Sequence, residues 1–391
     1  MIPKKRIMLV FGTRPEAIKM APVISEIAKY PEILDPIVVV TGQHREMLDQ
    51  VLDIFKIKPD YDLKIMQTSQ TLTNITVKVL EGLQAVMLRE RPDMVLVQGD
   101  TTTTFAASLS AYYHKVSVGH VEAGLRTWQK YSPYPEEINR RLTTSLADLN
   151  FAPTAKSVVS LTKENVDKNK IYLTGNTVID ALFDVVDREY DLKKIGIVED
   201  PKKKIILVTT HRRESFGTPL KNICEGIAIV ASKHSEVTTV VLPVHKNPLV
   251  SGTVHDVLGG LSNVQLIEPL DYEPFIHLMK ASYIILTDSG GVQEEAPSLG
   301  KPVLVLREVT ERPEAVEAGA VRIVGTDINK ITTEAEKLLT NKAEYDKMSQ
   351  AINPYGDGKA SERIVGAILH YFGFTDRRPA DFIPSLQGKR T

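Results

Sequence analysis

The 391-residue chain contains a single cysteine, Cys224. One thiol can form no disulfide within the chain and no cysteine-ligated metal site, so the fold depends on its core. Cys224 lies in a helix-like stretch, Asn222-Ile223-Cys224-Glu225-Gly226-Ile227, where a buried, inert thiol is expected. Excess charge is lacking as well. A formal net charge of −1 gives no overall drive toward nucleic acid or an anionic lipid surface, and neither partner is expected. No apolar run approaches the length that spans a bilayer. The opening "MIPKKRIMLVFG" is basic, but its apolar run, Ile7 to Phe11, is too short for a secretory signal and reads as a first strand. Without an export signal or paired cysteines, the expected location is the cytoplasm. Cofactor fingerprints are missing too. "FGTRPE" follows the first strand where a dinucleotide site has G-x-G-x-x-G, and there is no G-x-x-x-x-G-K-[ST]. The nine histidines show no H-E-x-x-H spacing. Neither a cofactor nor a metal is expected.

What the chain does have is an ordinary enzyme-like balance, 42% hydrophobic and 25% charged, with length enough for roughly two to three domains. Short apolar, β-branched runs alternate with helix-period stretches throughout. The strands expected are Ile7–Phe11, Ile37–Val40, Met94–Val97, Val116–Val121, Leu149–Phe151 and Ile171–Leu173, then Ile205–Val208, Thr239–Leu242, Val264–Ile267, Tyr283–Leu286, Pro302–Leu306 and Val321–Val324. Helical patterns include Thr71–Arg89, Thr103–His114, Leu220–Lys233 and Tyr272–Ala281. Near-continuous apolar strands between helices indicate parallel sheets covered on both faces, an α/β fold of βαβ units. The charged stretch 190–204 reads as a linker between two α/β domains, and the polar end "FTDRRPADFIPSLQGKRT" as a poorly ordered tail.

Small or polar residues follow almost every strand: "FGTRPE", "TGQHRE", "QGDTTTT", "GHVEAGLRT", "THRRES", "PVHKNP" and "TDSGG". In open parallel sheets, ligands bind outside the carboxyl ends of the strands. Ser289-Gly290-Gly291 stands between a strand end and a helix start. Glycines there let an anion approach backbone N–H groups at the positive end of a helix, and Ser289 adds a hydroxyl. A glutamate one turn on repels phosphate but suits the vicinal hydroxyls of a ribose. Glu294 and Glu295 are adjacent and point different ways, so at most one does this. The same segment also fits a tight turn followed by a solvated acidic pair. Pro297 is expected to end the helix and Gly300 to cap it.

The carboxylates Asp100, Glu122 and Glu136 fall at the third strand end, the fourth strand end and a helix start. Singly, Asp100 also fits a helix N-cap, and Glu136 a first-turn charge paired with Arg140 at i+4. Together, beside Arg14, Lys19 and Arg126, they read as chemistry. His211 and His245 stand apart from the other histidines because both terminate strands.

The motifs "FGTRPEAIKMAP", "QGDTTTTFAA", "GHVEAGLRT", "PEEINRR", "THRRE", "DSGGVQEEAP" and "TERPEA", in that order, resemble those of the non-hydrolysing UDP-N-acetylglucosamine 2-epimerases. The resemblance covers residues 6 to 372. It implies two Rossmann-like, doubly wound parallel-sheet domains facing a central cleft, as in GT-B glycosyltransferases. The first spans 1–188 and carries the acids, and the second spans 189–355 and binds UDP. Residues 356–391 supply a helix returning to the first domain, plus the tail. It also implies a homodimer. The activity implied is reversible epimerisation of UDP-N-acetylglucosamine to UDP-N-acetylmannosamine, by elimination of UDP to 2-acetamidoglucal and re-addition. It implies a role in supplying N-acetylmannosamine to cell-surface polysaccharide. Asp100, Glu122 and Glu136 match the family's acid/base set. Arg14, Lys19, Arg140 and His211 match its substrate and leaving-group positions, with His211 counted as catalytic. Ser289, Gly290, Gly291 and Glu295 match phosphate and ribose contacts, Arg312 a further nucleotide contact, and Phe275 the uracil position. An activating second UDP-N-acetylglucosamine in many bacterial members would meet Gln43, Arg212 and His245. Glu46 and Ser69 stand where those members carry a glutamine and an arginine. The alternatives are a GT-B-type glycosyltransferase using a UDP-sugar, a nucleotide-sugar sensor, and a hydrolysing epimerase that releases UDP.

Overall fold

In the computed structural model, residues 3–42, 45–66 (Arg45 and Glu46 by backbone only), 70–198, 200–210, 212 and 215–385 are described. The chain forms two compact units, Met1–Ala181 with Gly358–Ile383, and Leu182–Asp357.

The first unit runs β1 (Lys5–Phe11), α1 (Arg14–Ile27), β2 (Leu34–Val40), α2 (Arg45–Ile54), β3 (Tyr61–Asp62), α3 (Leu72–Glu90), β4 (Met94–Gln98), α4 (Thr102–Tyr113), β5 (Ser117–Val121), α5 (Glu136–Leu146), β6 (Leu149–Ala152), α6 (Ala155–Lys163), β7 (Ile171–Leu173) and α7 (Thr177–Val186). The division between units falls within α7. Its strands form one sheet in the order β3-β2-β1-β4-β5-β6-β7. Every pairing is parallel. A parallel sheet needs cover on both faces, and this explains the apolar runs. Met8 and Val10 of β1 and Val95 and Val97 of β4 pack against Ile75, Val79 and Leu83 of α3 and Ala106, Ala107 and Ala111 of α4. Each buried Ile or Leu contributes about 1.5–3 kcal/mol.

The second unit runs β8 (Lys204–Thr209), α8 (Thr218–Lys233), β9 (Thr238–Pro243), α9 (Pro248–Leu258), β10 (Val264–Ile267), α10 (Tyr272–Ala281), β11 (Ile284–Thr287), α11 (Gly290–Glu295), β12 (Val303–Val305), α12 (Pro313–Glu317), β13 (Val321–Ile323), α13 (Ile328–Thr340) and α14 (Lys342–Ser349). The strand order is β10-β9-β8-β11-β12-β13, again parallel throughout. Its core joins Ile206, Val208, Leu242 and Leu286 of the sheet to Leu220, Ile223, Cys224 and Ile227 of α8. Burial pushes the Cys224 thiol up to about 12, which keeps it protonated and inert. The charged stretch read as a linker makes a 3₁₀ turn over Leu192–Ile195. Ahead of it, Tyr190 stacks on His277 of α10.

The last helix, α15 (Ala360–Tyr371), belongs to the first unit and packs on α1. Its N-terminus is capped from α7, where the Asp180 carboxylate accepts from the Ala360 and Ser361 N–H groups at 3.2 and 2.8 Å and from the Ser361 hydroxyl at 2.6 Å. The expectation of a poorly ordered tail is corrected here as far as Ile383. The Phe382 ring is buried, its N–H donates to the Leu173 carbonyl at 2.7 Å, and the Asp381 carboxylate accepts from the Leu173 N–H. One apolar ring at the right register outweighs the polar composition around it. Among the described residues, no helix is long and apolar enough to cross a membrane.

Candidate active site

In the first sheet the strand order reverses between β1 and β4, so the connections after these strands diverge and open a crevice at their carboxyl ends. Glu16, in the first turn of α1, ties the two connections together. Its buried carboxylate accepts from the Gly12 and Thr13 N–H groups at 3.0 and 2.7 Å, and from the Thr101 and Thr104 hydroxyls at 2.6 and 3.2 Å. Burial raises its pKa against the lowering effect of these hydrogen bonds.

Gln98 and Val121 are register partners at the ends of β4 and β5, so Gly99 and Glu122 leave the sheet side by side. The Gly99 N–H donates to the Val121 carbonyl at 2.9 Å. Glu122 has a left-handed backbone, φ 64°, a conformation that costs a residue with a Cβ roughly 1–2 kcal/mol. The turn puts its carboxylate, nearly buried, in an ion pair with Lys19 of α1 and in reach of the Gln98 amide, which donates at 2.9 Å. Gly124 follows at φ 92°. A Cβ there would stand 2.4 Å from the Ser157 carbonyl oxygen, so only glycine fits.

Asp100 is held from α5. Arg140 donates to it through Nε at 2.8 Å and pairs through Nη2 at 2.7 Å, while Asn139 donates to its backbone carbonyl at 2.9 Å. Glu136 begins α5, three and four residues before these partners, which places it on the helix face that meets Asp100. The fully buried Glu137 accepts from the Thr127 and Trp128 N–H groups at 3.0 and 3.1 Å and thereby pins the connection after β5. His120, on β5, bonds through Nε2 to the Gly99 carbonyl at 2.7 Å. Burial lowers its pKa to about 4, so its ring is neutral at ordinary pH.

The second sheet reverses between β8 and β11. Ser289 is the N-cap position of α11, and Gly290 and Gly291 form its first turn. Neither glycine has a positive φ, and neither is forced by packing. A Cβ at Gly290 would stand 3.9 Å from Arg212 Nη2, and one at Gly291 3.6 Å from Glu295 Oε2, both ordinary contacts. Glu294 and Glu295 point to different partners. Glu294 is in an ion pair with Arg312, while Glu295 Oε1 accepts from the Tyr272 hydroxyl of α10 at 2.9 Å. Both carboxylates are buried, so the solvated acidic pair is ruled out. Pro297 ends α11 in a 3₁₀ turn, which Gly300 closes at φ 65°.

The sequence model of the UDP-N-acetylglucosamine 2-epimerases matches residues 26–369. The UDP-N-acetylglucosamine 2-epimerase of Bacillus subtilis is 54% identical, over 97% of this chain and 99% of its own. The crystal structure of the Neisseria meningitidis enzyme bound to UDP-N-acetylglucosamine superposes with TM-score 0.83 at 50% identity, covering 93% of this chain and 99% of that one. That of the Methanocaldococcus jannaschii enzyme, with UDP-N-acetylglucosamine and UDP, gives 0.76 at 35% identity, covering 94% and 99%.

The chain belongs to the UDP-N-acetylglucosamine 2-epimerase family.

Against the residues expected from the sequence for this epimerase family, the first unit brings Asp100, Glu122, Lys19 and Arg140 into paired contact, with Glu136 on the adjoining helix face. Arg14 is half-buried at the first residue of α1. Three details differ from the sequence reading. The N-cap of α4 is Thr101, so Asp100 is not a cap. Arg140 reaches Asp100 and lies 3.5 Å from Glu137. Arg126 is turned into the scaffold, donating to both oxygens of Glu164 at 2.9 and 2.7 Å and to the Thr144 hydroxyl at 2.8 Å.

In the second unit Ser289, Gly290, Gly291 and Glu295 share the short helix α11 and its N-cap, and Arg212, expected from the sequence at an activator site, flanks it at Gly290. Phe275 lies one helical turn beyond Tyr272, half-buried on the same face of α10. His245 is exposed after β9, its Nδ1 accepting from the Asn247 N–H at 3.1 Å. Gln43, Ser69 and His211, and the Glu46 side chain, lie outside the described residues. Sequence reasoning missed Glu16, Gln98, Glu137 and Tyr272. Only Glu16 had a local signal, the capping box Thr13-x-x-Glu16.

Proposed function

We propose that this chain interconverts UDP-N-acetylglucosamine and UDP-N-acetylmannosamine by inversion at C2 without net hydrolysis. A base removes the C2 proton and the C1–O bond breaks, its electron pair leaving with UDP. A C1=C2 double bond forms, giving 2-acetamidoglucal. UDP then re-adds at C1 while an acid protonates C2 from the opposite face. Two proton-transfer groups and cations for the departing diphosphate are required. The reading rests most on one observation: Asp100 and Glu122 leave neighbouring strand ends, each already paired with a cation, Arg140 and Lys19. Glu136 completes the acid/base set, and Arg14 and His211 act on the substrate with these cations.

The second unit holds UDP. The Ser289-Gly290-Gly291 turn takes the diphosphate, Glu295 the ribose hydroxyls and Phe275 the uracil, with Arg312 a further nucleotide contact. Glycines that neither backbone nor packing requires leave room for a ligand to approach, and this supports the assignment. The working form is a cytoplasmic homodimer, and its product supplies N-acetylmannosamine for cell-surface polysaccharide.

The test is a proton NMR time course with UDP-N-acetylglucosamine in deuterated water. The expected product is UDP-N-acetylmannosamine carrying deuterium at C2. Accumulation of free N-acetylmannosamine and UDP would make the enzyme a hydrolysing one. Full activity in Asp100→Asn, Glu122→Gln and Glu136→Gln variants would end the assignment of the acids, each of which should cost about 10²–10⁴-fold in rate.

A further inference from the structure

Glu122 is held at one oxygen by donors of two kinds. Lys19 brings a charge from α1, and Gln98, the last residue of β4, brings an amide N–H at 2.9 Å. Gln98 follows four apolar residues, Met94 to Val97, in a central strand and is itself only 3% exposed. A buried amide needs partners. This one donates to Glu122, and its backbone carbonyl accepts from the Thr104 hydroxyl at 2.6 Å. The same Thr104 proton is shared with Glu16 Oε1 at 3.2 Å, so Gln98 belongs to the framework that ties the β1 and β4 connections together.

We infer that Gln98 is a positioning residue for Glu122, fixing the orientation of the carboxylate and favouring its charged form. The inference rests on the reading of Glu122 as a proton-transfer group. An amide N–H can donate but never titrates in the working range. Donation to a carboxylate is strong when the acceptor is charged and weak once it is protonated. Lys19 acts in the same sense but can exchange a proton with the pair, whereas Gln98 cannot. Among the described residues, Arg126, later in the same connection, and Arg140 from α5 are charged groups near this strand end, both within electrostatic range of His120 together with Glu122. Asp100 is engaged by Arg140, and His120 is neutral. Removing the amide therefore makes Glu122 easier to protonate. A second carboxylate in its place does so more strongly, because like charges in contact resist joint ionisation and titrate as a pair.

The experiment is the pH dependence of kcat/KM for epimerisation in wild type, Gln98→Met, Gln98→Glu and Glu122→Gln, with thermal melting to establish that each is folded. Methionine matches the length of glutamine without the donor, and glutamate matches its shape. The limb of the profile set by Glu122 should move to higher pH by about one unit in Gln98→Met and further in Gln98→Glu, with plateau activity lower by about tenfold. A residue that merely supports the fold would lower activity equally at every pH. Limbs that stay in place in both Gln98 variants, while Glu122→Gln is inactive, would overturn the role of Gln98 alone. Full activity in Glu122→Gln would overturn the reading on which it rests. If one Gln98 variant fails to fold, the other decides by the same criterion. If both fail, Gln98 is a folding residue and the inference is wrong.

Discussion

The hydroxyl of Tyr272 donates to Glu295 Oε1 at 2.9 Å, while Glu295 Oε2 lies beside Gly291, so one helix orients a carboxylate that belongs to the next. With Glu295 as the ribose acceptor, Glu295→Ala should weaken UDP binding by about tenfold to a hundredfold, since hydrogen bonds to a charged group are worth roughly 1.5–3 kcal/mol. Tyr272→Phe should weaken it by less, about threefold to tenfold. In calorimetric titrations with 2′-deoxy-UDP, the penalty of Glu295→Ala should shrink. A folded Glu295→Ala protein that binds UDP like wild type would remove the ribose role.

Arg126 should matter for stability. Its side chain is fully buried, and its loss would strip Glu164 of a bidentate partner, leaving Arg141 at 3.5 Å. Breaking such a pair costs roughly 3 kcal/mol or more. Arg126→Leu should therefore lower the melting temperature by several degrees, while KM of the folded fraction stays close to wild type. A raised KM with an unchanged melting temperature would place Arg126 in the site after all.

His120 makes stability depend on pH. In the unfolded chain it takes up a proton near the ordinary imidazole value of 6.5, whereas burial keeps the native ring neutral until about 4. Between these values the unfolded state binds more protons. Stability therefore falls as pH drops through that window, by at most ~1.4 kcal/mol per pH unit, and the effect levels off below it. The contrast between urea unfolding at neutral pH and in mild acid should be smaller in His120→Gln than in wild type. Equal contrasts would mean that the ring is protonated in the native protein.

Activation by a second nucleotide sugar should be weak. The resemblance to the epimerases implies that Glu46 stands where a neutral amide would meet the activator, and Ser69 where an arginine would. A carboxylate repels a diphosphate, and a serine offers no bidentate partner. UDP-N-acetylmannosamine alone should be turned over without delay. A long lag abolished by traces of UDP-N-acetylglucosamine would contradict this.

Apolar runs made the sheets legible because parallel strands bury both faces. Two-residue β3 sits at the sheet edge in a polar stretch, and carries no such run. Strand-end motifs pointed to the candidate site because the topology of a parallel sheet gathers its connections at the carboxyl ends. The pairing inside the site was less legible. Whether Arg126 turns to the acids or to Glu164, and which of the adjacent Glu136 and Glu137 holds the Thr127 backbone, depends on side-chain directions set by neighbours far away in sequence. Gln98 and Tyr272 stayed hidden because each is an ordinary residue of its strand or helix until the tertiary partner arrives.

The cap that Asp180 provides to α15, and the seat that Leu173 offers Phe382, have a consequence for biosynthesis. The unit that begins the chain is completed only by the segment that ends it. A ribosome has to deliver all of the second sheet before α15 can dock on α1, so the intervening unit closes first as a continuous stretch of chain. Until then the first unit waits with the docking face of α1 uncovered. A stop codon between Asp357 and Ala360 should therefore cripple the acid-bearing half of the protein, although every proposed catalytic residue would still have been made.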